Sequence, residues 1–580
     1  MDKPTILKSL NRRDFIKNSV IAATGALLLP TLFTSCEKSD DFVPQGSFGF
    51  LEGVASFDPT QNSIILWSRY TVASNETKTP TIILDVATDA DFKTLVASQK
   101  VQLDPNRDNT IYVDVTNLLS NTTYFYRFRN EASKTTSVVG QTKTLPARGN
   151  VNSVKLAVVS CANFQAGLFN VYGAVAESDA DVVVHLGDYI YEYGEGEYGT
   201  NSSTVALGRV HQPKKEILTL DDYRTRYRQY RSDVQLQKAH QLKPFICVWD
   251  DHELTNDAYK DGAQNHQATE GDYNMRKMYA LQAWHEYLPA RVTDKAKIYR
   301  NFDLGGIANL MMLDTRIIGR DKQLNYIDYF NLSTGSLNTT AFVTAWQNPN
   351  RTLLGAEQRS WLMSQLSSNT ATWQVLGSQV LMSKIWVPAE LLLIIAQMET
   401  LGGATPALLS QYNTLVTQLV TIKSRIKAGD PTVTAAERAR VENVLPYNLD
   451  AWDGYIAERE MIFAAANRKK LVSLAGDTHN AWHARLTNSS KTKVGVEFAT
   501  SSVSSPGFEA LFGTDPTVIR GFEQSNELLI DDLVKSDASK RGFLLVTFTN
   551  SSASADWRFV STLATQTTAN FSGFTAVENV

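Results

Sequence analysis

Residues 181–191, DVVVHLGDYIY, constrain this 580-residue chain more than any other stretch. The run 182–186 is β-branched or apolar at nearly every position, the pattern of a strand buried on both faces. Gly187 ends the run and lets backbone approach a neighbour, so Asp188 reaches the C-terminal edge of a sheet with Tyr191 three residues on. A single Gly-Asp after a strand is ordinarily a turn. Three other runs end in the same chemistry, however. The run 154–160 leads into Cys161, 245–249 into Asp250, Asp251, His252 and Glu253, and 471–475 into Gly476, Asp477, Thr478 and His479. The chain has only 8 His and 3 Cys, so the arrival of Cys161, His252 and His479 at such ends points to a metal site. Helical runs at 166–178 and 272–286 alternate with these strands and predict an α/β layered core. On the second helix, Met275, Met278, Tyr279 and Trp284 are expected to share a buried face.

The order Cys161, GDYIY, WDDHE, GDTH resembles the PhoD-type alkaline phosphatases, a branch of the calcineurin-like binuclear metallophosphatases. RYRQYR at 226–231, LDTR at 313–316, LGAEQRSWL at 354–362, WDGY at 452–455 and EF…SSPG from Glu497 to Gly507 agree with that family. The resemblance runs from about residue 46 onward. It implies a two-sheet αββα-type metallophosphatase core that hydrolyses phosphate esters at alkaline pH through a binuclear or trinuclear metal centre. It also implies one Fe³⁺ with one or two Ca²⁺, rather than zinc or manganese.

The residue types agree with those metals. Asp188 is the expected bridge, acting in catalysis by holding both ions, and the Tyr191 phenolate suits a hard trivalent ion, with Cys161 and His479 completing that set. Many calcineurin-like enzymes place an asparagine in GNHE and a first histidine in GHxH. The corresponding positions here are Asp251 and Asp477, and the added carboxylates favour Ca²⁺ over Zn²⁺. Asn256, with Asp250 and Asp257, offers further oxygen donors.

His252 is the expected catalytic imidazole, stabilising charge or protonating the leaving oxygen; support of Glu253 is the other reading. Arg316 and Arg228 are the candidates for phosphate binding, with ion pairs inside the fold as the alternative. His185 reads as a core histidine, His483 as support near His479, and Cys247 as a buried thiol.

Residues 1–36 read as an export segment. Asn11-Arg12-Arg13-Asp14-Phe15-Ile16-Lys17 has the twin-arginine pattern, 20–29 is its apolar run, and LFTSC ends at Cys36 like a lipoprotein processing site. The expectation is a periplasmic enzyme or a lipoprotein anchored to a membrane through Cys36, with 37–45 as a tether. Residues 46–149 predict an all-β sandwich of fibronectin or immunoglobulin type, with Trp67 in its core and a tyrosine-corner pattern at Leu118, Thr122 and Tyr124. LPARGN at 145–150 is the expected boundary, and 150–580 the metallophosphatase domain. Helical runs at 390–401, 406–427 and 434–444 form an insertion over about 388–446, expected to be a surface bundle, with a lid over the site as the alternative. The runs 543–548 and 557–560 are expected to close the second sheet.

Residues 1–35 carry five Lys/Arg against two Asp, so the rest of the chain is more acidic than the formal −4 of the whole. That balance argues against a general nucleic-acid binder. Small phosphate esters are the expected substrates. A phosphodiesterase or phospholipase-D-like enzyme acting on phospholipid or nucleic-acid-derived diesters would use the same centre. A surface lipoprotein with a binding module and a degenerate hydrolase domain is the alternative of another class.

Overall fold

The computed structural model describes residues 48–74, 79–331, 336–400, 405–466 and 470–580. The export segment, Cys36 and the tether at 37–45 lie outside the described residues. Among the described residues, no helix is long and apolar enough to cross a membrane.

Two sheets face each other across the principal core. The first has nine strands in the order Asn570–Asn579, Ser552–Val560, Gly542–Thr549, Ser153–Val159, Val182–His185, Pro244–Cys247, Val54–Phe57, Ile64–Arg69, Thr110–Val115. Its central strands Ser153–Val159, Val182–His185 and Pro244–Cys247 are mutually parallel. Helices cover one of their faces and the second sheet the other, which is why these runs are apolar throughout. The second sheet has seven strands in the order Arg300–Leu304, Ala308–Met312, Trp373–Gly377, Lys470–Ala475, Lys493–Ala499, Ala481–Thr487, Leu533–Asp537. Val158, Val184 and Ile246 from the first sheet share one apolar cluster with Val375, Leu474 and Phe498 from the second. On the far side of the second sheet, Met311, Leu376 and Leu471 pack on Leu362 and Ile462 of the helices Gly355–Ser368 and Ile456–Ala465. The αββα layering expected of the chain is present.

The β-rich N-terminal region is present too, but the break at 145–150 divides the chain without dividing the sheet. Val54–Phe57 pairs in parallel with Pro244–Cys247, and Ile64–Arg69 and Thr110–Val115 extend the same sheet outward. Side chains alternate across a strand, and here each face serves a different core. Ile65 and Trp67 join the catalytic core, whereas Ile64 and Leu66 pack on Leu84, Tyr126 and Phe128 of the opposing N-terminal sheet. The tyrosine corner is formed, with the Leu119 N–H donating to the Tyr124 hydroxyl at 2.9 Å.

Three expectations are corrected, the first being Trp67, which lies in the catalytic core rather than in that of the sandwich. Gly542–Thr549 and Ser552–Val560 belong to the first sheet, where Gly542–Thr549 pairs with Ser153–Val159. Their alternation shows that one face is buried without saying beneath which sheet. On the helix Tyr273–Tyr287, Met275 and Met278 are 44% and 48% exposed. The buried stripe that includes Trp284 runs through Arg276, Ala280, Ala283 and Tyr287, so the arginine rather than the methionines lies on the core side.

The insertion forms the helices Ala389–Thr400, Pro406–Lys427 and Ala435–Glu442. Leu391, Leu419, Ile422 and Val441 make a small core of their own that docks on Leu529.

Candidate metal centre

Four loops converge on the space between the two sheets. Cys161 follows Ser153–Val159, Asp188 follows Val182–His185, Asp250 to Glu253 follow Pro244–Cys247, and Asp477 and His479 follow Lys470–Ala475 of the facing sheet. Backbone bonds tie the loops together: the Cys161 N–H donates to Gly187 O at 3.1 Å, Ala162 N–H to Asp188 O at 2.9 Å, and Val503 N–H to Ser160 O at 2.9 Å. A Cβ on Gly187, whose φ is 102°, would lie 2.4 Å from the Asp250 nitrogen. A Cβ on Gly476 would lie 2.5 Å from Ser160 Oγ. These two approaches require glycine.

Cys161, Asp188, Asp257, Asp477 and His479 have φ of 60°, 54°, 53°, 61° and 62°. Non-glycine residues in this left-handed region cost about 1 kcal/mol or more each. The surrounding loop contacts hold that strain at the one place where the side chains must converge.

Three groups of ligand atoms result, each with all members within 4.8 Å of one another: Cys161, Asp188 and His479; Asp188, Asp251 and His252; and Asp250, Asp251 and Asp477. All of these residues are buried. Asp188 belongs to two groups and Asp251 to two, so the three form a chain. Tyr191 stands beside the first, its hydroxyl 2.9 Å from Asp188 Oδ2 and 3.2 Å from His479 Nε2, with Ser505 Oγ donating to it at 2.7 Å. His479 Nδ1 lies 2.8 Å from Pro506 O and 2.9 Å from the Tyr198 hydroxyl, and toward the carbonyl a ring nitrogen can only donate. That bond leaves the Nε2 lone pair facing Tyr191 and the Cys161 group.

Charge decides what this cluster can be. Burial pushes the Cys161 thiol well above its usual range, and Asp188 adds to the effect. Burial likewise drives the Asp250 carboxyl well up, against the pull of Arg316 and with the help of Asp251 and Asp477. Asp250 Oδ2 is buried with no hydrogen-bond partner among the described residues. Several carboxylates and a thiol this close cannot all ionise unless cations compensate them. Thiolate, imidazole and oxygen donors in one group and oxygen donors alone in another are sets that fit metal ions.

The sequence profile of the PhoD-like phosphatase family matches residues 156–557, and that of the PhoD-like phosphatase N-terminal domain matches 36–146. The chain belongs to the PhoD-like phosphatase family. It is 32% identical over 479 residues to alkaline phosphatase D of Bacillus subtilis (strain 168), covering 80% of this chain and 70% of that protein. Among solved structures, PhoD superposes with a TM-score of 0.71 at 29% identity, over 93% of this chain and 92% of that one. A purple acid phosphatase from yellow lupin (Lupinus luteus) seeds shares the fold, with a TM-score of 0.51 at 11% identity over 90% and 73% of the two chains.

Within this PhoD-like frame, the structure brings Cys161, Asp188, Tyr191, Asp251, His252, Asp477 and His479 together. Asn256 lies on the same loop, its N–H donating to Glu192 Oε1 at 2.9 Å and its Nδ2 to Gln264 at 2.9 Å. The two arginines are placed differently. Arg228 lies away from the centre, 2.7 Å from Asp108, in a cluster with Arg69 and Glu52 at the junction with the N-terminal region. Its helix, Leu220–Arg231, turns Arg226 rather than Arg228 toward the loop, where it bonds to the Tyr191 carbonyl. Arg316 is at the centre but has no exposed surface. It pairs with Asp250, with Asp450 at 2.8 Å and with Asp477 at 2.9 Å, which makes it a fixed counter-charge beneath the carboxylates.

One site residue, Glu192, has no counterpart among the sequence candidates, and Glu253, expected as the partner of His252, is placed differently. Glu192, fully buried, accepts from His252 Nδ1 at 2.6 Å and from Asn265 Nδ2 at 2.8 Å. Its signal was present: an acid directly after Tyr191 in the aromatic run YIYEY has no solvent-facing position to occupy. Glu253 accepts the N–H groups of Asp188, Tyr189 and Asp250 at 2.8 to 2.9 Å and so clamps two ligand loops, while burial pushes its carboxyl up to about 7. His185 is a core histidine, 2.7 Å from the Tyr172 hydroxyl, and His483 lies on Ala481–Thr487 against Phe498 and Trp557. Cys247 is a buried free thiol.

A cleft of about 410 Å³ opens over Asp257, Asp450, Asp477 and His479. That volume falls in the range of small-molecule sites. Leu392, Ile395 and Ala396 of the first insertion helix form part of its wall, so the insertion is both a bundle and a border of the site.

Proposed function

We propose that this chain is an exported phosphohydrolase that releases inorganic phosphate from small phosphate esters at alkaline pH. In this reading Cys161, Asp188, Tyr191 and His479 hold Fe³⁺, and Asp188, Asp251, Asn256 and Asp477 hold one or two Ca²⁺. The observation that carries it is the membership of Asp188 in both the Cys161–His479 group and the Asp251–His252 group, as a bridging carboxylate requires. Family membership supports hydrolysis of phosphoric ester bonds.

Bound cations supply a hydroxide nucleophile at moderate pH and neutralise the phosphoryl oxygens. The chain does the rest. The converging carboxylates form the cleft floor, and Arg316 offsets part of their charge. His252, with Nδ1 held by Glu192, is oriented toward the Asp188–Asp251 group, where its ring would serve the leaving oxygen as general acid. Export rests on the twin-arginine pattern and membrane attachment on Cys36. A Cys36→Ser chain moving from the membrane to the soluble fraction is the result that attachment predicts.

Initial rates on p-nitrophenyl phosphate and bis-p-nitrophenyl phosphate at alkaline pH, with elemental analysis of the same preparation, test the reading. Monoester preference with iron and calcium present supports it, and diester preference transfers the same centre to phosphodiester chemistry. Tyr191→Phe is expected to abolish a visible phenolate-to-iron absorption. Two zincs and no iron in the native protein would refute the metal assignment.

A further inference from the structure

The cleft has two unlike sides. Its floor is ionic, formed by Asp450, Asp477 and His479, which belong to or adjoin the ligand groups. One wall is apolar. Leu392, Ile395 and Ala396 stand at i, i+3 and i+4 on the first insertion helix, the spacing that places side chains on one helix face. Leu324 faces the same cleft, and Tyr326 braces it with its hydroxyl 2.6 Å from Pro446 O, at the strand that closes the insertion. Tyr447, which follows that strand, also lines the cleft. Hydrogen-bonding side chains also line the cleft, among them Asp257, Gln264, Gln323 and Asn448, but among the described residues the insertion helix contributes only the three apolar ones.

An ester placed with its phosphorus over the floor must send its organic group along one of these walls. A fully hydroxylated group would set hydroxyls against Leu392 and Ile395, where nothing replaces their lost bonds to water. An alkyl or aryl group would instead remove apolar surface from water. The binding preference therefore lies in the insertion, and the chemistry lies in the sheet loops.

We propose that Leu392, Ile395 and Ala396 make this cleft selective for phosphate esters whose organic group is an alkyl chain or an aromatic ring, over esters of polyhydroxy alcohols. The proposal rests on the phosphohydrolase reading above and assigns its substrate class.

The test uses the mature, metal-loaded enzyme with n-hexyl phosphate and glycerol phosphate, each as the monoester and as its methyl diester. The pair that the wild type turns over faster is carried forward. Wild type is expected to prefer the hexyl ester. In Leu392→Ala/Ile395→Ala the hexyl-to-glyceryl ratio of kcat/KM is expected to fall about 10-fold, as loss of apolar contact in a pocket does. Ile395→Asn changes the polarity of a half-buried position and is expected to lower the same ratio, which keeps the test sound if the double variant does not fold. A ratio that stays within twofold of wild type in the folded variants would overturn the proposal while leaving the phosphohydrolase reading intact. Wild-type enzyme that turns over neither ester would overturn both.

Discussion

Glu192→Gln probes how the His252 imidazole is held. Burial works against the charge of Glu192, but His252 and the hydrogen bonds from Asn256 and Asn265 outweigh it and hold the carboxyl at about 2. Glutamine keeps the volume and one oxygen for the Asn256 N–H, so the fold is expected to survive. Its amide nitrogen, however, can only donate toward His252 Nδ1, where the carboxylate accepted at 2.6 Å. Nδ1 must then accept rather than donate, and the ring loses its charge-assisted bond to residue 192. A charge-assisted hydrogen bond is worth about 1.5–3 kcal/mol, which corresponds to roughly a 10- to 150-fold fall in kcat. Steady-state kinetics on the preferred ester should show that fall with KM changed by less than about threefold and the metal content unchanged. Activity within twofold of wild type would refute the reasoning. Loss of metal together with activity would refute it differently, by placing His252 among the ligands of the Asp188–Asp251 group.

Arg316→Gln removes the partner shared by Asp250, Asp450 and Asp477, and breaking buried pairs of this kind costs about 3–5 kcal/mol. Thermal melts should show a larger loss for the chelator-treated protein than for the metal-loaded one, and equal losses would deny that the two cation sources compensate the same acids. His185 is held neutral by burial, its folded-state value lowered to about 3. Between about pH 6.5 and 3 the unfolded chain binds the extra proton, so this contribution is present above pH 6.5 and is lost as pH falls, by at most about 4–5 kcal/mol. His185→Gln should flatten that part of the acid slope of the urea midpoint, and an unchanged slope would assign it elsewhere. Arg228→Ala should leave kcat/KM within twofold and lower stability by about 1 kcal/mol or less, because its pair with Asp108 is part-exposed. A tenfold loss of activity would return Arg228 to the site.

The convergence of the candidate ligands was legible because each of the four strands carries its own punctuation. An apolar run that stops at Cys161, Gly187-Asp188, Asp250-Asp251-His252 or Gly476-Asp477 announces both a strand and what it delivers. What could not be read is where strands from distant parts of the chain meet. Nothing near Phe57 indicates that it lies beside Phe245, and the Pro and Gly at 146–149 mark a turn as well as they mark a domain boundary. Arg228 was misplaced for a related reason. Four arginines share the helix Leu220–Arg231, and only the docked structure shows which side meets Asp108 and which meets the Tyr191 carbonyl. Glu192 was overlooked because sequence pattern favours acids that end strands, whereas its task is to orient a ring from beneath.

The nine-stranded sheet has a bearing on when this protein becomes active. Ser153–Val159, which delivers Cys161, is flanked by Val182–His185 on one side and by Gly542–Thr549 on the other, pairing Val158 with Leu544. The neighbouring ligand strand Pro244–Cys247 is in turn bordered by Val54–Phe57, from the opposite end of the sequence. Contacts so remote along the chain are slow to form. During synthesis the emerging polypeptide can build helices and hairpins, but the sheet around Cys161 stays incomplete until residues 542–549 have left the ribosome. Assembly of the centre is thereby deferred to the whole molecule, and partly made chains have no finished site in which to trap a metal.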